Sequence, residues 1–465
     1  MKRSMQTSTS GSLLEGPIWR QLLLYALPIF FSNLLQQAYN AADAVIVGNT
    51  LGSLPLAAVS SVGSIVNMLV GLFLGLATGA SVVISQHFGA GRVDKMHASI
   101  HTAMAVGLAG GILLTVAGVA LAPQILRLMN TPDEVMEYSV TYLRIYFCGS
   151  LATMVYNMGT GILRACGDSK RPLYYLAISC VVNVGLDLLM IVVFQMGIAG
   201  AAVATVLSQV IAAVLVMRNL LTSGQTYRVI LREIRFHKRE LLDIISLGLP
   251  GGFQSVVISL SNAIIQAQIN GFGPQAMAGC GAYFKVDGFV ATPIFAFGLA
   301  IATFVGQNMG ASQEKRAKRS TIVCLRMTIG LTVVIGGAVV LFGRPILSLF
   351  TSDPEVIEYG LMAAHIMAPT YTLLAVVNVF GNAVRGAGSA MPPTVIQAVC
   401  MCLLRVAWIL GLTMIWNDLR VVLYSYPFSW GLAALCMVLY YWKGGWLKKY
   451  YARAARRAAE EQAGA

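Results

Sequence analysis

Residues 36–48 read QQAYNAADAVIVG, and the one carboxylate in that stretch, Asp43, decides how the chain is read. It lies in the middle of an apolar run that begins near Leu22. An acid placed at the centre of a membrane-length segment costs roughly 2.5–3.5 kcal/mol on insertion scales. A chain keeps such a group only where protein or trapped water solvates it. Asp43 is therefore expected to be a functional acid facing the inside of a helical bundle.

The composition agrees. Of 465 residues, 57% are hydrophobic and only 11% charged, against about 25% charged in a soluble domain; the mean hydropathy is +0.73. Apolar runs long enough to cross a hydrocarbon core of about 30 Å recur about twelve times. They are read as helices, because a lipid-facing segment must satisfy its own backbone hydrogen bonds. The runs fall near 20–48, 53–85, 98–122, 134–158, 172–194, 197–220, 241–270, 275–306, 318–342, 355–380, 393–415 and 420–442. The net charge of +13 is spread over many short loops, so it does not point to nucleic acid. Most of the 32 Lys and Arg fall in the loops of one side, with a few inside the spans, while Arg127, Arg344 and Arg420 mark the other. By the positive-inside rule both termini are expected in the cytoplasm. Residues 1–17 have no apolar core of their own and do not read as a cleavable signal peptide. The eight cysteines are scattered and read as packed thiols. No GxxxxGK[ST], HExxH or GxSxG occurs, which leaves no ATP-burning P-loop and no familiar hydrolytic centre. His97 and His101 are spaced for a shared zinc but lack an obvious third ligand.

The two halves of the chain repeat each other. Ile84–Ser99 (ISQHFGAGRVDKMHAS) matches Val305–Ser320 (VGQNMGASQEKRAKRS), and LRLMNTPDEVMEY matches LSLFTSDPEVIEY. Gln86 pairs with Gln307, Glu134 with Glu355, Asn157 with Asn378, Arg164 with Arg385 and Gly167 with Gly388, each 221 residues apart. A constant offset of this length is the mark of duplication. Each half holds an even number of spans, so the repeats run parallel, and substrate sites in such transporters lie between halves that rock against each other. The expected organisation is a tail at 1–17, an N-lobe at 18–220, a basic cytoplasmic linker at 221–240, a C-lobe at 241–442 and a tail at 443–465. Pro28 and Pro250 hold matching places in the first helix of each half.

Polar groups inside the spans give the candidate site. Asn33, Gln36, Asn40 and Asp43 are spaced 3, 4 and 3, which puts them on one helical stripe. Asn183 and Asp187 are i and i+4 neighbours on the fifth span, and Thr205 follows on the sixth. Two carboxylates, an amide and a hydroxyl can make an oxygen cage for a hard cation, or a proton site. The places in the second half that correspond to the two acids hold Ile264 or Ile265 and Trp408 or Ile409. Duplication kept no acids there, so the shared fold does not need them. The seventh span carries an uncharged stripe that includes Asn262 and Gln266. Lys285 and Asp287 on the eighth span, with Arg405 on the eleventh, form either a structural ion pair or a second ionic site.

With these residues in view the chain resembles the multidrug and toxic compound extrusion (MATE) family over about residues 15–440. The resemblance is carried by ALPIFFSNLLQQAYNAADAVIVGN at Ala26–Asn49, by GASVVISQHFGAGR with its repeat TFVGQNMGAS, and by NMGTGILRACGDSKRP with NVFGNAVRGAGSAMPP. It implies an all-α membrane protein of twelve helices in two six-helix lobes forming a V. It further implies a multi-pass plasma-membrane antiporter, not an enzyme, that expels drugs or organic cations against inward H⁺ or Na⁺ and needs no cofactor. On this resemblance Asp43, Asn183, Asp187 and Thr205 are the ion-binding residues, and Tyr142 and Asn157 line the same lobe with Gln36 and Asn40. No acid follows Leu249-Pro250 on the seventh span, where some branches of the family carry one. The partners expected are small-molecule substrates and the bilayer, with the protein a monomer. The alternative is a flippase for lipid-linked glycan precursors from the same wider superfamily, which would need a row of intramembrane bases.

Overall fold

A computed structural model describes residues 13–129 and 131–463; residues 1–12, most of the expected N-terminal tail, lie outside this description. Among the described residues there are helices and turns but no strand. The first half is α1 (Ile18–Leu51), α2 (Ser53–Gly89), α3 (Val93–Leu128), α4 (Asp133–Cys148), α5 (Ser150–Ala165), α6 (Lys170–Asp187) and α7 (Gly197–Thr222). The second is α8 (Lys238–Asn270), α9 (Pro274–Gly310), α10 (Glu314–Leu341), the short α11 (Gly343–Ser348), α12 (Pro354–Met367), α13 (Tyr371–Gly386), α14 (Met391–Ala398), α15 (Leu404–Leu412) and α16 (Leu419–Lys443), followed by α17 (Trp446–Ala463). Among the described residues eleven stretches are long and apolar enough to cross a membrane. The twelfth passage, expected as one span at 134–158, is instead two helices that meet at Gly149, and charged residues at its start make it the least apolar. The expected C-terminal tail is itself largely helical, as α17.

The duplication is written in the backbone. The α1–α2 corner turns at Gly52 with φ +91° and the α8–α9 corner at Gly273 with φ +101°, a conformation closed to most side chains. Gly91 (φ +64°) is matched by Ser312 (φ +60°), so the second half holds the same corner without glycine. Both α1 and α8 run on through their matched prolines, Pro28 and Pro250, although each removes one backbone bond.

Packing shows where the halves touch. Two of the buried apolar clusters mix both halves. In one, Leu22, Ala26 and Ile29 of α1 meet Ala296, Ala300 and Phe304 of α9. In the other, Ala80 and Ile84 of α2 meet Ile244 and Leu247 of α8. Both lie toward the end of the molecule that bears the 221–240 linker. Two further clusters, one around Val47, Leu126 and Phe147 and one around Tyr283, Tyr371 and Trp430, draw on a single half each. The halves are thus joined at the linker end and separate toward the other, where Asn40 and Val45 on α1 and Ser259, Leu260 and Asn262 on α8 are exposed. That is the V.

The join depends on close backbone approach. GLATG (Gly75–Gly79) on α2 faces GLPGG (Gly248–Gly252) on α8. A Cβ on Gly75 would stand 2.3 Å from the Gly252 nitrogen, and one on Gly248 2.6 Å from the Leu76 Cα. Small residues four apart on both helices allow this contact. Beside it, Glu240 at the start of α8 is buried and accepts from Ser99 Oγ of α3 at 2.6 Å, with His87 Nε2 of α2 at 3.3 Å.

Candidate functional site: an acid-lined cavity in the first half

A cavity of about 480 Å³ opens inside the first half. Its walls come from α1, α2, α4, α5 and α7. Gln36, Asn40 and Asp43 enter from one stripe of α1, as their spacing requires. Tyr142 and Tyr146 enter from α4, stacked with ring centroids 6.3 Å apart. Tyr156 and Asn157 come from α5, and Thr205 and Gln209 from α7. Tyr39, one helical turn before Asp43, adds a fourth phenol ring. Among the described lining residues Asp43 is the only charged one. The cavity is an aromatic and amide-lined chamber with a single acid.

Behind that acid stands a second one. Asp187 and Asn183 on α6 are 0% exposed, and Asp43 is 8% exposed. The carboxyls of Asp43 and Asp187 lie within hydrogen-bonding reach of each other. Neither finds a donor elsewhere: Asp43 Oδ1, both Asp187 oxygens and both polar atoms of Asn183 are buried and unpartnered. A buried polar atom without a partner costs about 1–3 kcal/mol, so this cluster is held against a stability cost. Directly after Asp187 the helix loosens into a π turn, Leu188–Val193, the kind of irregularity that gathers at functional sites. Thr205 Oγ1 donates to Ala201 O at 3.0 Å, and its lone pairs stand within reach of the Tyr39 and Tyr142 hydroxyls.

A family model described as MatE matches residues 28–189 and again 250–409, one copy in each half. The chain belongs to the MatE family. MatE proteins are membrane transporters rather than enzymes, and this chain is a multi-pass membrane transporter. The probable multidrug resistance protein YpnP of Bacillus subtilis is 32% identical over 93% of this chain and 96% of its own length. The probable multidrug resistance protein YoeA of the same organism is 29% identical over 97% and 99%. A solved MATE structure in complex with MaL6 superposes with a TM-score of 0.88 at 20% identity, covering 96% of this chain and 99% of that one, and so shares the fold.

Within this MatE chain the structure brings together most of the residues expected from sequence. Asp43, Gln36, Asn40, Tyr142, Asn157 and Thr205 share the cavity wall, with Asn183 and Asp187 buried behind it. Asn262 and Gln266 lie on α8 outside this cavity, and Gln266 Nε2 donates to Asn270 Oδ1 at 2.8 Å. No salt bridge within 4.0 Å joins Lys285, Asp287 and Arg405, although Asp287 and Arg405 stand near enough for their charges to attract. Lys285 is exposed and stands over the Phe350 ring at 5.9 Å. Asp287 accepts from the Tyr371 hydroxyl, which also meets the Tyr283 hydroxyl at 2.8 Å. Arg405 is buried on Tyr426 at 4.4 Å and donates to Ser429 Oγ at 2.9 Å. Two residues apart on one helix, Lys285 and Asp287 point to different sides, and tyrosine rather than arginine takes the carboxylate. His101 is also accounted for: Nδ1 meets His97 O at 2.8 Å and Nε2 accepts from Ile230 N at 3.0 Å, which leaves no lone pair for zinc. Sequence reasoning missed Tyr39, Tyr146, Tyr156 and Gln209. Tyr39 carried a usable signal, the i−4 spacing to Asp43; the others depend on how α4, α5 and α7 face α1.

Proposed function

We propose that this transporter exports organic cations and other amphipathic compounds across the plasma membrane in exchange for inward H⁺ or Na⁺ taken up at Asp43 and Asp187. The observation that carries the reading is the cavity with Asp43 as the one charge, beside four tyrosines, among its described lining residues. A delocalised cation gains from aromatic faces and from a nearby carboxylate, and a chamber of stacked rings tolerates varied shapes. The names of the two Bacillus relatives support the same class of cargo. Two facing carboxyls suit one shared proton; Na⁺ would draw on Asp43, Asp187, Asn183 and Thr205 as oxygen donors. Ion and cargo then compete for the same acid, and the lobes rock between faces as its charge is satisfied first by one and then by the other. Binding can bias that motion only by differing in affinity between the two states. The Lys and Arg distribution supports a cytoplasmic linker and cytoplasmic termini, and in that orientation the cleft faces outward. The flippase reading finds less support, since no base is among the described residues that line the cavity.

The test is transport of an organic cation in proteoliposomes, with pH and Na⁺ gradients imposed separately. Asp43→Asn is expected to abolish gradient-driven export while the protein still folds. Export at the unmodified rate would overturn the proposal, and whichever gradient drives the unmodified protein identifies the ion.

A further inference from the structure

At the linker end the contact between the halves is reciprocal. Gln86 Nε2 on α2 donates to the Gly386 carbonyl at the end of α13, 2.8 Å away. Gln307 Nε2 on α9 donates to the Ala165 carbonyl at the end of α5, also 2.8 Å away. Residues 86 and 307 are repeat mates at an offset of 221, and so are 165 and 386. Each bond is therefore the image of the other under the internal duplication, and each crosses from one half to the other. The backbones cross in the same reciprocal way. A Cβ on Gly89 would lie 1.9 Å from the Gln307 carbonyl oxygen, and one on Gly310 would lie 2.0 Å from the Gln86 carbonyl oxygen.

These bonds do nothing for either half by itself. Each glutamine reaches past its own bundle to a helix-terminal carbonyl of the other, a group that helices leave without an internal partner. Because the two bonds are related by the axis that relates the lobes, a rotation that opens this end breaks both together. Once parted, donors and acceptors meet water, so each bond contributes a modest bias rather than a lock. Such a bias suits a contact that must part and re-form.

We propose that Gln86 and Gln307 form a two-fold latch favouring the state closed at the linker end, and that removing their donors shifts the protein toward the state open there. The inference rests on the lobe-rocking reading above, and the experiment separates the two. Asp94 and Lys315 are exposed repeat mates in opposite halves beside the latch. D94C and K315C, placed in a C148S background because Cys148 is the exposed thiol, carry spin labels on the full chain in lipid nanodiscs. Pulsed dipolar spectroscopy then reads the distance between halves. Gln→Glu keeps the side-chain shape and removes the donor; at position 307 it also preserves the acceptor used by Leu13 N, 3.1 Å away. Gln→Met removes the donor without adding charge. Either substitution at one site is expected to raise the ratio of linker-open to linker-closed protein about fivefold, and the double change about 25-fold. The two single changes should act alike. The latch is overturned if the double variants keep the original distance distribution while a change of pH or of Na⁺ concentration still produces a second distance, or if one glutamine carries the whole effect. If no variant and no change of pH or Na⁺ produces a second distance, the rocking motion itself is wrong and the latch falls with it.

Discussion

Replacing Asp187 by Asn should make the protein more stable and less able to transport. Asp187 is fully buried, and neither of its oxygens has a partner. Its carboxyl faces that of Asp43. Asparagine keeps the shape, removes one ionisable group and puts an N–H donor opposite Asp43. A hydrogen bond to a charged group contributes about 1.5–3 kcal/mol, and the remaining amide oxygen stays as unsatisfied as before. A net gain of about 1–2 kcal/mol follows at a pH where both carboxyls are ionised, while the gain shrinks toward zero where they already share a proton and the amide only replaces that bond. Most buried substitutions go the other way, by about 0.5–3 kcal/mol. Transport should fall at least about tenfold when driven by an ion gradient, since the pair can no longer share and release one proton; a tenfold change in rate is about 1.4 kcal/mol in barrier. Thermal unfolding of purified protein, followed by tryptophan fluorescence, reads the first effect, and gradient-driven efflux from proteoliposomes reads the second. A loss of stability above about 1 kcal/mol would mean that the carboxylate holds the bundle together, and an unchanged coupled rate would mean that it takes no part in coupling. Either result refutes the reasoning.

Three other outcomes can be checked with the same assays. Gly75→Ala overpacks the α2–α8 seam, where its Cβ would stand 2.3 Å from the Gly252 nitrogen, and should cost about 1–3 kcal/mol; Gly251→Ala, with nothing within 4 Å, should be neutral or stabilise by about 0.5–1 kcal/mol in thermal unfolding. Glu240→Ala removes the acceptor of Ser99 and the partner of His87, and should lower stability by about 2–4 kcal/mol, while Glu240→Gln loses less because it can still accept from Ser99. Asp287→Asn keeps an acceptor for Tyr371 and lies outside the acid cavity, so gradient-driven efflux should stay within about twofold of the unmodified protein, well under 1 kcal/mol in barrier; a tenfold loss would restore a second ionic site in the C-lobe.

The candidate site was legible where its geometry is local to one helix. Gln36, Asn40 and Asp43 share a face because three- and four-residue steps return to the same side of any helix. The Asn183–Asp187 pair follows for the same reason. The contribution of Lys285, Asp287 and Arg405 was not legible, because it turned on which of several tyrosines from α9, α13 and α16 reaches each charge first. The two-part passage at α4 and α5 was read as one span because an apolar count does not register the break at Gly149. Glu240 went unnoticed for a related reason: it sits at a helix start rich in ordinary surface charge, and only packing shows that it is enclosed by α2 and α3.

Taken alone, the sequence settled that the chain is a duplicated bundle of membrane-crossing helices with two unduplicated acids in its first half. Those properties are fixed along the chain, since the bilayer forces each apolar run to satisfy its own backbone and an internal repeat shows as a constant offset. Tertiary structure alone decided which end of the cleft is shut, that glycine meets glycine across the seam, that Asp43 and Asp187 face each other, and that Gln86 and Gln307 reach across to opposite halves. These depend on contacts between residues far apart in the chain, where a shift of an ångström in how helices dock changes the partner, and no local pattern records that docking.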